Sequence, residues 1–193
     1  MAIPQGHSRQ RYNSANKAFE VNGASLRVVE RHTRVPRRVM EERLLADLQT
    51  ILRANPDRAR AAKRIADWIA GVRHYRWVGL YEVTPREIGM IAGSGTAAPA
   101  FPRFPVAQGL CGAAVAARSV VNIGNVREDP RWLTTFGTTC SEIIAPVLSD
   151  GARVVGLIDA ESNQLNAFGA EDERFLEQCA ARMTQLFLRP NHA

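Results

Sequence analysis

The hydrophobic period changes along this chain in an order that few folds can accommodate. Residues 37–54 place Val39, Met40, Leu44, Leu45, Leu48, Ile51 and Leu52 on one helical stripe with charged residues opposite. Residues 55–72 continue in the same period, with Ile65, Trp68 and Ile69 inward and Arg58, Arg60 and Arg64 outward. Between them, Asn55 reads as a helix cap and Pro56 as a first helical residue, where a missing N–H is harmless. At Tyr75 the period drops to two. Residues 77–83 form a strand, Pro85 marks a turn, and residues 88–92 return. Residues 93–108 read as a long irregular connection, 109–117 as a short Ala-rich helix and 120–123 as a strand. A polar loop, 124–140, carries Asp129-Pro130-Arg131-Trp132 and is long enough to raise a functional question. Residues 142–148 and 154–159 make a hairpin around Ser149-Asp150-Gly151, and residues 171–188 make the last helix, which starts on Glu171, Asp172 and Glu173. Strands and helices do not alternate, so a doubly wound parallel sheet is excluded. The order predicts an α+β fold: an antiparallel sheet of about five or six strands, with N- and C-terminal helices on one face and loops over the other.

Charge sharpens the domain boundaries. The net charge of +6 on 193 residues suggests a nucleic-acid binder until it is located: the first 40 residues hold eight Arg or Lys against Glu20 and Glu30. The remaining 153 are balanced, 17 against 17. Residues 1–36 therefore read as a basic, disordered arm that could dock a protein or acidic partner, and residues 37–189 as the folded domain. No window approaches 18 consecutive apolar residues, so no membrane span is expected, and no apolar stretch follows a basic start, so no secretory signal is expected. Cys111, Cys140 and Cys179 form no C-x-x-C pair, which argues for a reducing cytoplasm. The four histidines are scattered, and neither a metal site nor a cofactor is expected.

The candidate chemistry is acidic. Asp159 and Glu161 stand two apart on one strand, hence on one face, and Glu142 is on its hairpin partner. Three carboxylates on one buried face repel unless something cationic binds; on a solvated face they are ordinary surface charges. An ammonium-bearing ligand such as an amino acid would match the buried case. Cys111 follows Gly109 near a helix start, where the dipole can activate a thiol, although a packed, inert cysteine is an equal reading. Cys179 falls on the apolar stripe of the last helix. Trp77 either lines a pocket or fills the core.

Four segments together resemble a GAF domain, and within that superfamily the branch containing free methionine-(R)-sulfoxide reductase. They are Trp77-Val78-Gly79-Leu80-Tyr81, Gly109-Leu110-Cys111-Gly112, Ser141-Glu142-Ile143-Ile144-Ala145-Pro146, and Gly156-Leu157-Ile158-Asp159-Ala160-Glu161-Ser162 followed by Phe168. The resemblance runs over roughly residues 44–187 and implies a small-molecule pocket between sheet and loops, often in a homodimer, here through the terminal helices. It implies ligand contacts from Trp77, Tyr81, Glu142, Asp159 and Glu161, the last standing where the family usually has Asp. In that branch a thiolate attacks the sulfoxide sulfur, an acid protonates the departing oxygen, and a second thiol converts the sulfenic acid to a disulfide. Only Cys111 matches a family cysteine. The catalytic one aligns with Thr135 and the third with Phe101, so two readings stand. One is a sensor-like binder of a free amino acid or its oxidised derivative; the other is a reductase using Cys111 with Cys140. Phe168 with Asp172-Glu173 is also similar to the signature of cyclic-nucleotide-binding GAF domains, and a helix start explains the same residues.

Overall fold

The structure, a computed structural model, describes residues 18–21, 24–27, 36–150 and 153–189. The chain divides between Pro36 and Arg37 into two units, which are described separately. Most of the expected arm lies outside the described residues. Within it, β1 (Ala18–Val21) pairs antiparallel with β2 (Ala24–Arg27), Phe19 opposite Leu26.

The second unit begins with α1 (Arg37–Ala54) and α2 (Arg58–Arg73). The cap of α2 is Asp57, whose carboxylate accepts the Arg60 N–H at 2.7 Å, so the start expected at Pro56 shifts by two residues. Asn55 is buried instead. Its amide donates to the Ile51 carbonyl, and its own carbonyl accepts from the Arg189 guanidinium, which ties the end of α1 to the end of the last helix. His74, in the left-handed region at φ 56°, closes α2 by donating its N–H to Ala70 O.

The sheet follows. Its members are β3 (Trp77–Val83), β4 (Glu87–Gly93), β5 (Arg103–Pro105), β6 (Val121–Ile123), β7 (Ser141–Ser149) and β8 (Arg153–Ser162), in spatial order β5-β4-β3-β8-β7-β6 and antiparallel throughout. Six strands and this architecture match the expected fold. β5 is the addition: it lies in the stretch read as irregular, pairs Ile88 with Phe104, and carries a proline, as an edge strand can.

Period-two alternation splits the sheet into two chemistries. One face presents Val78, Leu80, Ile143, Ala145, Ile158 and Ala160 to α2 and α4 (Ala170–Leu188), in one core with Ile65, Ile69, Leu176 and Met183, and α1 packs on those two helices with Leu48. Gly156 sits on β8 against the Phe187 ring of α4. The opposite face presents Trp77, Tyr81, Ile88, Ile144 and Leu157, and α3 (Gly109–Ala117) covers it with Leu110, Cys111 and Ala114. Ala-rich and nine residues long, α3 is narrow enough to lie close to that face. Glu142, Asp159 and Glu161 belong to this second face.

Candidate functional site

Strand register brings the carboxylates together. Glu142 of β7 is directly opposite Glu161 of β8, one row from the pair Ile144–Asp159; in the same rows β3 places Trp77 beside Glu161 and Gly79 beside Asp159. All three acids are at most 3% exposed. Among the described residues, no Lys, Arg or His forms an ion pair with any of them. One oxygen of each, Glu142 Oε2, Asp159 Oδ1 and Glu161 Oε1, has no hydrogen-bond partner. The other Glu161 oxygen accepts from the buried Thr139 hydroxyl. The Trp132 indole N–H is turned toward Glu142 closely enough to favour its ionised form, yet it falls short of hydrogen-bond geometry.

Burial sets the protonation of the cluster. It pushes the Glu142 carboxyl well above the usual range, and the Glu161 charge adds to the shift. Burial does the same to Asp159, reinforced by Glu142 and Glu161. Glu161 is also raised by burial, against the pull of the Thr139 and Thr135 hydroxyls and the Arg76 charge. Arg76 itself donates to Thr138 Oγ1 at 2.7 Å and lies over the Phe136 ring. The Cys111 thiol, brought in by α3, is pushed well up by burial and then by the three carboxylates. Its environment opposes thiolate formation, so the packed reading of Cys111 describes this state better than the dipole-activated one.

These groups line one cavity, walled by Tyr81, Phe104, Leu110, Cys111, Glu142 and Asp159 and roofed by Phe101, Leu133 and Thr135. Its volume is about 10 Å³, enough for one water at most. The roof comes from two loops, before β5 and after β6, joined where the Ala100 N–H donates to Thr135 O at 3.0 Å.

Of the expected ligand residues, Tyr81, Glu142 and Asp159 line the cavity, while Glu161 and Trp77, in the same row as Glu142, do not. Trp77 is 3% exposed and packs edge-on to Phe136 at 5.2 Å. Cys111 lines the cavity and Cys140 does not; the Cys140 thiol is half-buried and faces the Thr138 carbonyl. Phe104, Leu133, Trp132 and Thr139 carry no individual site signal in the sequence. The only signal for the last three was the length of the loop that holds them. Asp172 has structural work: it caps α4 by accepting the Gly169 N–H and binds Arg73 and Tyr75.

A six-stranded antiparallel sheet backed by three helices, with a short helix and two loops over a buried site on its front, defines the architecture of GAF domains. The chain belongs to that family, whose model matches residues 57–186. It is 33% identical over 104 residues to protein YtsP of Bacillus subtilis, a match covering 54% of this chain and 63% of YtsP. It is 28% identical over 110 residues to the free methionine-R-sulfoxide reductase of Escherichia coli, covering 57% of this chain and 65% of that enzyme. Both matches span less than two thirds of the relative. Similar solved structures include the free methionine-R-sulfoxide reductase of Neisseria meningitidis in complex with its substrate, at 26% identity and a TM-score of 0.70, covering 80% of this chain and 92% of that one. The type II enzyme of Thermoplasma acidophilum is similar at 27% identity and a TM-score of 0.61, covering 77% and 94%.

Proposed function

We propose that this protein is a small-molecule-binding GAF domain whose ligand is a free amino acid or an oxidised derivative of one. The observation that carries the reading is a set of three buried carboxylates with unpartnered oxygens, Glu142 and Asp159 lining the cavity and Glu161 beside Glu142, with no ion-pair partner among the described residues. An ammonium group supplies what the site lacks, a compact cation with three donors for Glu142, Asp159 and Glu161. In this low-dielectric setting a bound cation also restores the ionised carboxylates, so binding and deprotonation reinforce one another. The aromatic side chains of Tyr81, Phe101 and Phe104 offer an apolar wall for the rest of the ligand. Because the cavity holds only a water, admission requires the two roof loops to move apart. A thermal-shift series with methionine, methionine sulfoxide and other amino acids tests the reading. A ligand that raises Tm in the wild type and loses its effect in Glu142→Gln is the expected outcome; no response to any of them refutes it.

One observation favours a second reading, a free methionine-(R)-sulfoxide reductase: the Cys111 sulfur lies within 4.8 Å of carboxylate oxygens that could act as acids. The sulfoxide oxygen would leave as water while two thiols become a disulfide. Against it stand the raised Cys111 thiol and the position of Cys140 outside the cavity. Phe101 and Thr135 line that same cavity at the positions where the resemblance puts the missing cysteines. Thiol-dependent turnover of the free sulfoxide that disappears in Cys111→Ser would establish the enzyme over the binder. We also infer a homodimer through α1 and α4, where exposed Val39, Met40 and Leu188 would be covered; light scattering showing a monomer refutes it.

A further inference from the structure

We propose that Cys111, Glu142 and Asp159 form a site for a single divalent transition-metal ion of the zinc class. Three separate elements, α3, β7 and β8, deliver one donor each, and the sulfur and two carboxylate oxygens all lie within 4.8 Å of one another. Each residue is at most 5% exposed. Glu142 Oε2 and Asp159 Oδ1 have no partner, and both residues line the cavity that Cys111 also lines. A buried oxygen left without a donor marks a site built for something else. The size of the space points the same way: about 10 Å³ takes one water or one bare ion as it stands, whereas an amino acid needs the roof displaced.

The donor set selects the metal. Sulfur disfavours calcium and magnesium, which take six or more oxygens, and suits a borderline ion bound by thiolate and carboxylate together. Zinc holds sulfur at about 2.3 Å and oxygen at about 2.0 Å in a tetrahedron, so the ligand atoms would sit roughly 3.3–3.6 Å apart. A contraction of up to about 1.5 Å from the present spacing, by side-chain torsions, completes the site. Three protein donors leave the fourth position facing the cavity for water or a small ligand. On binding, Cys111 and any protonated carboxyl release their protons to solvent. The site does not rest on the amino-acid reading; the ion would occupy the place of the ammonium, so the two occupants exclude one another.

Cobalt(II) serves as the probe. The full chain, freed of metal with a chelator, is titrated with Co²⁺ while the thiolate-to-cobalt charge-transfer absorption is followed. The expected result is a band saturating at one equivalent, preserved in Cys140→Ser, abolished in Cys111→Ser and displaced by Zn²⁺. Glu142→Gln keeps the thiol and should weaken Zn²⁺ binding at least about tenfold, which covers the case of a Cys111→Ser protein that fails to fold. No band in the wild type, or a band lost in Cys140→Ser and kept in Cys111→Ser, overturns the proposal. Amino-acid thermal shifts measured on the metal-free protein separate the two ideas: a cobalt band with no amino-acid response sinks only the amino-acid reading, and the converse sinks only the metal site.

Discussion

Replacing Asp159 by Asn should make the metal-free, ligand-free protein more stable, and more so as the pH rises. The Glu142 and Asp159 oxygens lie within 4.8 Å of each other, and at an effective dielectric constant near 20 two unit charges at that distance repel by about 3.5 kcal/mol. The folded protein avoids that cost by keeping protons on the pair, as the raised carboxyls record. The unfolded chain releases the same protons near pH 4. Between that value and the raised folded one the native state binds more protons than the unfolded state, so its stability falls as pH rises. Asn has nearly the same shape, carries no charge, and can donate from its amide to Glu142. The gain at pH 8 should therefore be about 1–3 kcal/mol, below the full repulsion because protonation limits it. For a domain of this size that is a Tm increase of roughly 2–10 °C, shrinking toward zero near pH 5. Thermal and urea unfolding in chelator, from about pH 5 to pH 8, measure it. A gain that does not vary with pH, or a loss of stability at pH 8, would refute the claim that uncompensated carboxylates strain the native state.

Three other perturbations probe separate parts of the fold. A Cβ added at Gly156 would fall 2.3 Å from the Phe187 ring, so Gly156→Ala should cost about 1–3 kcal/mol in urea unfolding; in a Phe187→Ala background most of that cost should vanish, and strict additivity would contradict it. Asp172→Asn should cost about 1–2 kcal/mol by weakening the α4 cap and the contacts to Arg73 and Tyr75. Burial pushes the Asp172 carboxyl up, but the Tyr75, Arg73 and Gly169 hydrogen bonds outweigh it and hold the group low. Its stabilisation is therefore complete above pH 4 and is lost as pH falls through that lowered value, so wild type and variant should converge in strong acid. Phe101→Ala removes a half-exposed roof side chain: stability should change by less than about 1 kcal/mol while stopped-flow association of a confirmed ligand speeds up, and an unchanged rate would mean that Phe101 does not gate entry.

What could be read from the sequence divides by the range of the interaction responsible. Helices α1, α2 and α4 were legible because their apolar stripes are local and long. The β7–β8 hairpin was legible for a related reason: alternation over nine or ten residues fixes which side chains share a face, and so put Asp159 and Glu161 together. Register was the missing quantity. Nothing local says that Glu142 stands opposite Glu161 and one row away from Asp159, or that α3 lowers Cys111 onto them. β5 was missed because three residues ending in proline carry no period, and the strand exists through its pairing with β4. The α2 cap was misplaced because Asn55 and Asp57 are both competent caps; the Asn55 amide instead turns back to the Ile51 carbonyl, and Asp57 accepts from the helix start. Thr139 was invisible because a threonine in a loop declares nothing until strand pairing puts a carboxylate beside it.

The bond from Ala100 N–H to Thr135 O has a consequence for how opening could be timed. It spans the seam between the two loops that roof the cavity, and parting them must break it. Ala100 thus carries an isotopic clock: in deuterated water its amide exchanges only when the seam opens, and its protection factor reads the free energy of that opening directly. An occupant that seals the cavity from within should slow this one amide far more than those of the β7–β8 ladder, whose hydrogen bonds lie away from the seam.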